Sequence, residues 1–216
     1  MTEPVEAIWT DFGGVLTPPI SHTLATFCAR QDLPMEAVID AVLKVTATFG
    51  TDDVMLPIDT PLVTESEWLD RIGQVLRSDH GIEPRLTSLA DAWFDGREAN
   101  LEWAEHLRAL RAQGFFVGLL SNMVPAWDAH WRRMIDPAAY FDDVVLSFEV
   151  GHRKPDRAIF DLAVERSGIP ASRSFFVDDL AKNCEGAVAA GWSSILFTDT
   201  AHAIAELCTH LRVRTP

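Results

Sequence analysis

The chain predicts an α/β fold: a parallel sheet with helices on both faces, interrupted after its first strand by a helical insertion. Three observations lead there. The opening run Ala7-Ile8-Trp9-Thr10 is apolar and β-prone, and it passes straight into Asp11-Phe12-Gly13-Gly14. After Gly114, short apolar runs alternate with helix-length segments, which is the pattern of strands joined by helical crossovers. Between these two regions, from residue 21 to about residue 110, there is almost no strand signal.

The elements follow in order. Residues 5–10 form the first strand. Helices are expected over 21–30, 34–48, 65–79, 87–95 and 100–112, with Ser21, Thr64 and Thr87 as caps. The stretch 51–63 carries prolines and acids and reads as a loop. Strands are then expected over 115–120, 144–147, 174–177 and 193–197. Helices over 125–135, 156–167, 181–190 and 201–211 alternate with them. On this reading residues 1–16 and 99–216 make an α/β core, and residues 17–98 make an inserted α-helical cap.

Composition narrows the function. With 216 residues, 48% of them hydrophobic, the chain can bury a sizeable core. A net charge of −14 argues against nucleic acid and against an anionic membrane surface as partners. An acidic protein still binds an anionic substrate where a metal ion and a few cations dominate locally. Three widely spaced cysteines, Cys28, Cys184 and Cys208, without a CxxC, argue against a disulfide framework or zinc site. The start lacks the marks of a secretion signal, and no apolar run approaches the length of a membrane span. A cytoplasmic protein with reduced thiols is the expectation, as a monomer or a homodimer.

Chemistry enters at four strand ends. Asp11 follows the first strand, Ser121 and Asn122 the second, Lys154 lies in Gly151-His152-Arg153-Lys154-Pro155-Asp156, and Asp178-Asp179 follow Phe175-Phe176-Val177. The carboxyl ends of parallel strands face the crevice where α/β folds bind ligands. The set comprises a nucleophile, a hydroxyl, a cation and a carboxylate pair.

In this order, the four motifs resemble the haloacid dehalogenase-like hydrolase superfamily, most of whose members are magnesium-dependent phosphatases. The resemblance covers nearly the whole chain. DFGGVL, GHRKPD and VDD are most similar to the helical-cap branch with the N-terminal phosphatase domain of soluble epoxide hydrolases, and to glucose-1-phosphatase-type enzymes. It implies a Rossmann-like core and hydrolysis of a small phosphorylated metabolite. Asp11 would be the nucleophile that forms an aspartyl-phosphate. Ser121 and Asn122 would hold the phosphoryl oxygens, and Lys154 would neutralise them and keep Asp11 anionic. Mg²⁺ would be held by Asp11, the Gly13 carbonyl and Asp179, with Asp178 acting through water. Asn183 would orient the loop, and Arg153 would serve a structural ion pair, with contact to phosphate as the alternative.

One departure stands out. The family's first motif is commonly D-x-D, and here the second aspartate is Gly13. That residue protonates the leaving group and later activates water, a contribution worth about 10²–10⁴ in rate. Some similar members also carry glycine here. Three consequences are open: a substrate with an undemanding leaving group, replacement of the acid by His22 or the Asp52–Asp53 pair, or slow turnover in a binding or regulatory protein. A metal-independent 2-haloacid dehalogenase is a further rival, and the acidic pair speaks against it. Trp68, Trp93 and Trp103, with Phe27, Phe49 and Phe94, read first as helix-packing core. Stacking on a sugar or lining a lipid pocket are the alternatives. His80, His106, His130, His202 and His210 read as surface or packing residues.

Overall fold

The structure, a computed structural model, describes residues 4–85 and 88–211. In chain order the elements are β1 (Ala7–Thr10), α1 (Ile20–Arg30), α2 (Met35–Ala47), α3 (Leu56–Asp59), α4 (Glu65–His80), α5 (Leu89–Phe94) and α6 (Leu101–Ala112). Then come β2 (Phe116–Ser121), α7 (Asp128–Met134), α8 (Pro137–Tyr140), β3 (Asp143–Leu146), α9 (Ser147–Val150) and α10 (Arg157–Ser167). The chain continues through β4 (Ser174–Asp178), α11 (Ala181–Ala189), β5 (Ser193–Leu196) and α12 (Thr200–Leu211).

Residues divide into two compact units. One holds the chain up to Pro19, Glu98–Asn122 and the chain from Met134 onward; the other holds Ile20–Arg97 and Met123–Arg133. The second unit therefore takes in a segment beyond the expected 17–98, because the turn after β2 contributes Trp127 to its aromatic cluster. Trp127 stacks on Trp93 at 5.6 Å between ring centroids, and its indole donates to Glu65 Oε2 at 2.8 Å.

In the first unit a five-stranded parallel sheet runs in the order β3-β2-β1-β4-β5. β1 is central and wholly buried, which is why it reads as a continuous apolar run rather than an alternating one. Ala7 and Trp9 join Phe176, Ile159, Phe160 and Trp192 in one core, under α10 and α11. On the opposite face α6 and α12 cover the sheet: Trp103 of α6 reaches Thr10, and Phe175 meets His210 at 4.8 Å. This is the expected α/β, Rossmann-like architecture with helices on both faces.

Local chemistry sets the boundaries. Thr64 caps α4 with a full capping box to Glu67, and Gly81 closes the helix at φ 66°. The cap expected at Thr87 lies outside the described residues; Ser88 caps α5 by accepting from Asp91 N at 3.1 Å. Residues 51–63 are not all loop. Asp53 Oδ1 accepts from Met55 N at 3.2 Å and turns the chain into the single helical turn α3, which has Pro57 near its start. The third strand ends at Leu146, one residue before the expected end, because Ser147 opens α9. Among the described residues no helix is long and apolar enough to cross a membrane, and Cys28, Cys184 and Cys208 are free thiols.

Candidate active site

Strand register brings the motif residues together. Thr10 pairs with Leu119 on one side and Val177 on the other, so Asp11 and Asp178 leave adjacent strands at one level with Ser121 beside them. Asp11 N continues the ladder to Val177 O at 2.9 Å. Thr10 braces this strand end: its hydroxyl donates to Asp11 O at 3.0 Å and accepts from Trp103 Nε1 at 3.1 Å. Trp103 thus belongs to the α/β unit and braces the strand that leads into Asp11. A buried threonine in an otherwise apolar run was the signal for this brace.

Lys154 is the hub. It is 1% exposed, and its Nζ lies 2.8 Å from Asp11 Oδ1 and 2.6 Å from Asp178 Oδ2. The Phe176 ring lies beneath the ammonium at 5.0 Å. Burial pulls the Lys154 pKa down, but Asp11 and Asp178 outweigh it and hold the ammonium above its ordinary range. Asp178 is fully buried and both its oxygens are engaged: Oδ1 accepts from Leu180 N at 2.8 Å, and Asn183 Nδ2 reaches both oxygens at 3.0 Å. Asn183 therefore orients the acidic loop, as the resemblance implied.

Asn122 is tied to Lys154. Its side chain does not point free into the crevice. Oδ1 accepts from Lys154 N at 2.8 Å and Nδ2 donates to Lys154 O at 2.9 Å, a two-bond clamp on the lysine's own peptide groups. The amide holds both peptide groups of Lys154, while the Ser121 hydroxyl, like Lys154, favours the Asp11 anion. Arg153 is buried beside it in sequence.

The acids crowd one another. Asp11, Asp178 and Asp179 each present a carboxylate oxygen within 4.8 Å of the others. Burial first, then the charges of Asp11 and Asp178, push Asp179 up to about 7. Asp11 is also raised, by burial and by Asp178, against the opposing pull of Lys154. Three carboxylates facing a single lysine leave a net negative, all-oxygen pocket, which is the donor set of a hard divalent cation such as Mg²⁺. Gly14 fits the same arrangement: a Cβ there would stand 1.9 Å from Asp179 Oδ2, and φ is +80°. At Gly13, by contrast, a Cβ would meet nothing within 4 Å.

The proposed substitutes for the missing acid lie in the other unit. His22 and Asp52 are exposed, and Asp53 is engaged in the turn into α3. His80 pairs with Asp40 at 2.8 Å, His130 lies 3.4 Å from Asp91, and His106 stacks on Trp103. These are packing and surface roles.

The sequence profile of the haloacid dehalogenase-like hydrolases matches residues 5–191. The chain belongs to this family. Among curated relatives, it is 36% identical over 90 residues to the glyceraldehyde 3-phosphate phosphatase of Methanothermobacter thermautotrophicus (40% of this chain, 39% of that one). It is 34% identical over 95 residues to the phosphoglycolate phosphatase of Escherichia coli (44% of this chain, 38% of that one). The chain thus spans about two fifths of the length of these relatives. In fold it is similar to a haloacid dehalogenase-family enzyme of Bacteroides thetaiotaomicron crystallised with magnesium and inorganic phosphate. That match has a TM-score of 0.64 at 24% identity and covers 92% of this chain and 98% of that one. The L-2-haloacid dehalogenase of Xanthobacter autotrophicus shares the fold at a TM-score of 0.64 and 18% identity, over 95% and 83% of the two chains.

Proposed function

We propose that the chain is a magnesium-dependent phosphatase that hydrolyses a small phosphorylated metabolite through an aspartyl-phosphate on Asp11. One observation carries this reading: Asp11, Asp178 and Asp179 bring carboxylate oxygens within 4.8 Å of one another around a single buried lysine, Lys154, which leaves an excess of negative charge that a divalent cation would balance. The phosphatase names of the matching relatives support it. Asp11, Asp179 and the Gly13 carbonyl would hold the ion, with Asp178 behind them. When bound, the cation supplies charge neutralisation at the phosphoryl oxygens.

The residues of the chain do the rest. An Asp11 carboxylate oxygen attacks phosphorus, the ester P–O bond breaks, and the electron pair leaves on the alcohol oxygen. Ser121 donates its hydroxyl to a phosphoryl oxygen, and Lys154 balances the charge that gathers there. Water then attacks the aspartyl-phosphate, releasing inorganic phosphate and restoring Asp11. With glycine at position 13, the alcohol leaves and the water attacks without the usual aspartate at that position. Such a site favours esters whose alcohol departs readily, such as anomeric sugar phosphates, or acyl phosphates. The helical insertion would act as a cap that selects the substrate. A cytoplasmic location fits soluble phosphorylated metabolites.

A second reading rests on Gly13: a protein that binds phosphorylated ligands and turns them over slowly. Hydrolysis of p-nitrophenyl phosphate and a panel of metabolite phosphates, in Mg²⁺ and in EDTA, tests both readings. Phosphate release abolished by EDTA is expected. Ligand binding without release across the panel favours the second reading, and release of halide from 2-haloacids regardless of EDTA would favour a dehalogenase.

A further inference from the structure

The loop that carries Asp11 and Gly13 is held at both ends from one place, the start of α6. At its near end the Trp103 indole donates to the Thr10 hydroxyl, which in turn donates to Asp11 O. At its far end Asn100, the residue before α6, takes hold of two consecutive carbonyls. Its backbone N donates to Leu16 O at 2.8 Å, and its side-chain Nδ2 donates to Val15 O at 2.9 Å. Val15 and Leu16 are fully buried. Phe12 O closes the loop on itself, accepting from Leu16 N at 2.9 Å and from the Thr17 hydroxyl at 3.3 Å. The carbonyls of Asp11, Phe12, Val15 and Leu16 are thus all held, and Gly13 lies between them.

The Asn100 side chain does more than cap its helix. Its Oδ1 accepts from Trp103 N at 3.2 Å, which is the ordinary cap bond, and serine or aspartate would make it as well. Its Nδ2 donates twice, to Val15 O and to the Thr200 hydroxyl at the start of α12, both at 2.9 Å. Aspartate has no proton to give, and serine has one on a shorter arm; of the good capping residues only asparagine joins an acceptor to two donors. Trp103 N–H on one side and Val15 O on the other fix which end of the amide is which. The loop end, α6 and α12 therefore meet at one side chain, all within the first compact unit.

We propose that Asn100 is a positioning residue of the Asp11 site. Magnesium demands near-octahedral geometry at short range, so its ligands must be held at fixed spacing. By pinning Val15 and Leu16, Asn100 keeps the Gly13 carbonyl in register with the Asp11 carboxylate. The inference rests on the reading of Asp11 and Gly13 as ligands of the ion.

The test uses Asn100→Ser and Asn100→Asp in the full chain. Both keep the cap acceptor for Trp103 N, and both lose the donation that joins Val15 O to Thr200. Two quantities are measured: amide hydrogen exchange of the metal-free protein by NMR, and Mg²⁺ affinity by calorimetry. Exchange at Leu16 N–H should quicken about tenfold, while Leu107 and Leu110 within α6 exchange as in the wild type. Mg²⁺ affinity should fall about tenfold. Ser88→Ala removes the cap of α5 in the other unit instead, and should change neither quantity. Unchanged exchange at Leu16, or wild-type Mg²⁺ affinity in a folded Asn100 variant, would overturn the proposal and leave the phosphatase reading standing. A wild type that binds no Mg²⁺ would overturn both.

Discussion

Lys154 gains its reach from Asn122: the lysine's own N–H and C=O are both clamped by that amide, and its ammonium is shared by Asp11 and Asp178. Replacing Asn122 by alanine should cost about 1–3 kcal/mol through two lost buried hydrogen bonds and should lower turnover, because Lys154 loses its anchor. Thermal unfolding and steady-state kinetics check both. Gly13 makes the converse case. A Cβ there meets open space, so Gly13→Asp should fold as the wild type does. It should raise turnover of esters with poor leaving groups by up to about 10²–10⁴-fold, measured as a ratio of alkyl to p-nitrophenyl phosphate hydrolysis. An unchanged ratio in a folded, metal-binding variant would mean that the missing acid is not what limits the enzyme. At this scale the sequence was legible for charged and hydroxyl groups, whose chemistry suggests their roles. The clamp of Asn122 on Lys154 was not legible, because an amide suits an oxyanion and a peptide group equally well and the two residues are far apart in sequence.

Elements decide how closely these residues approach. α11 begins just after the acidic pair and lies against the loop that carries Lys154; a Cβ on Gly186 would come within 2.6 Å of Pro155 O. Gly186→Ala should therefore push that loop away and weaken the Lys154 ion pairs. The expected result is a loss of about 1–3 kcal/mol, typical of overpacking, with a fall in kcat; urea unfolding and kinetics read them. The α/β alternation after Gly114 was visible because buried parallel strands are short apolar runs separated by helix-length segments. Single-turn elements such as α3 were not, because one turn has no periodicity to read; the Asp53 turn and Pro57 were its only signals. The grouping of Met123–Arg133 with the insertion was equally hidden, since the packing of Trp127 on Trp93 is long-range in sequence.

For the whole molecule, three carboxylates held close together should make stability depend on pH and on an added divalent cation. Burial and the neighbouring carboxylates Asp11 and Asp178 push Asp179 in the folded chain up to about 7, from an ordinary 3.8. Between those values the folded chain binds more protons than the unfolded one, so stability falls as pH rises through that window; Asp11, also raised, acts in the same direction. The Tm in EDTA should drop between pH 5.5 and pH 8. Mg²⁺ should restore it at pH 8, by about 2.7 kcal/mol at a hundredfold excess over its Kd. Asp179→Asn should flatten the pH dependence and remove most of the response to Mg²⁺. A Tm in EDTA that rises with pH would contradict this electrostatic account.

The proposed hydrolysis depends on phosphorylation of Asp11. On the proposed mechanism, water would attack an aspartyl-phosphate slowly without the usual acid–base aspartate, so the phosphorylated chain should accumulate during turnover. The measurement is the intact mass of protein mixed with p-nitrophenyl phosphate and Mg²⁺ and quenched in acid within one turnover, with peptide mapping of the site. One added phosphoryl group is expected, mapped to Asp11, and absent from Asp11→Asn and from samples in EDTA. Phosphate release by the wild type with no such species, or release that persists in Asp11→Asn, would contradict it.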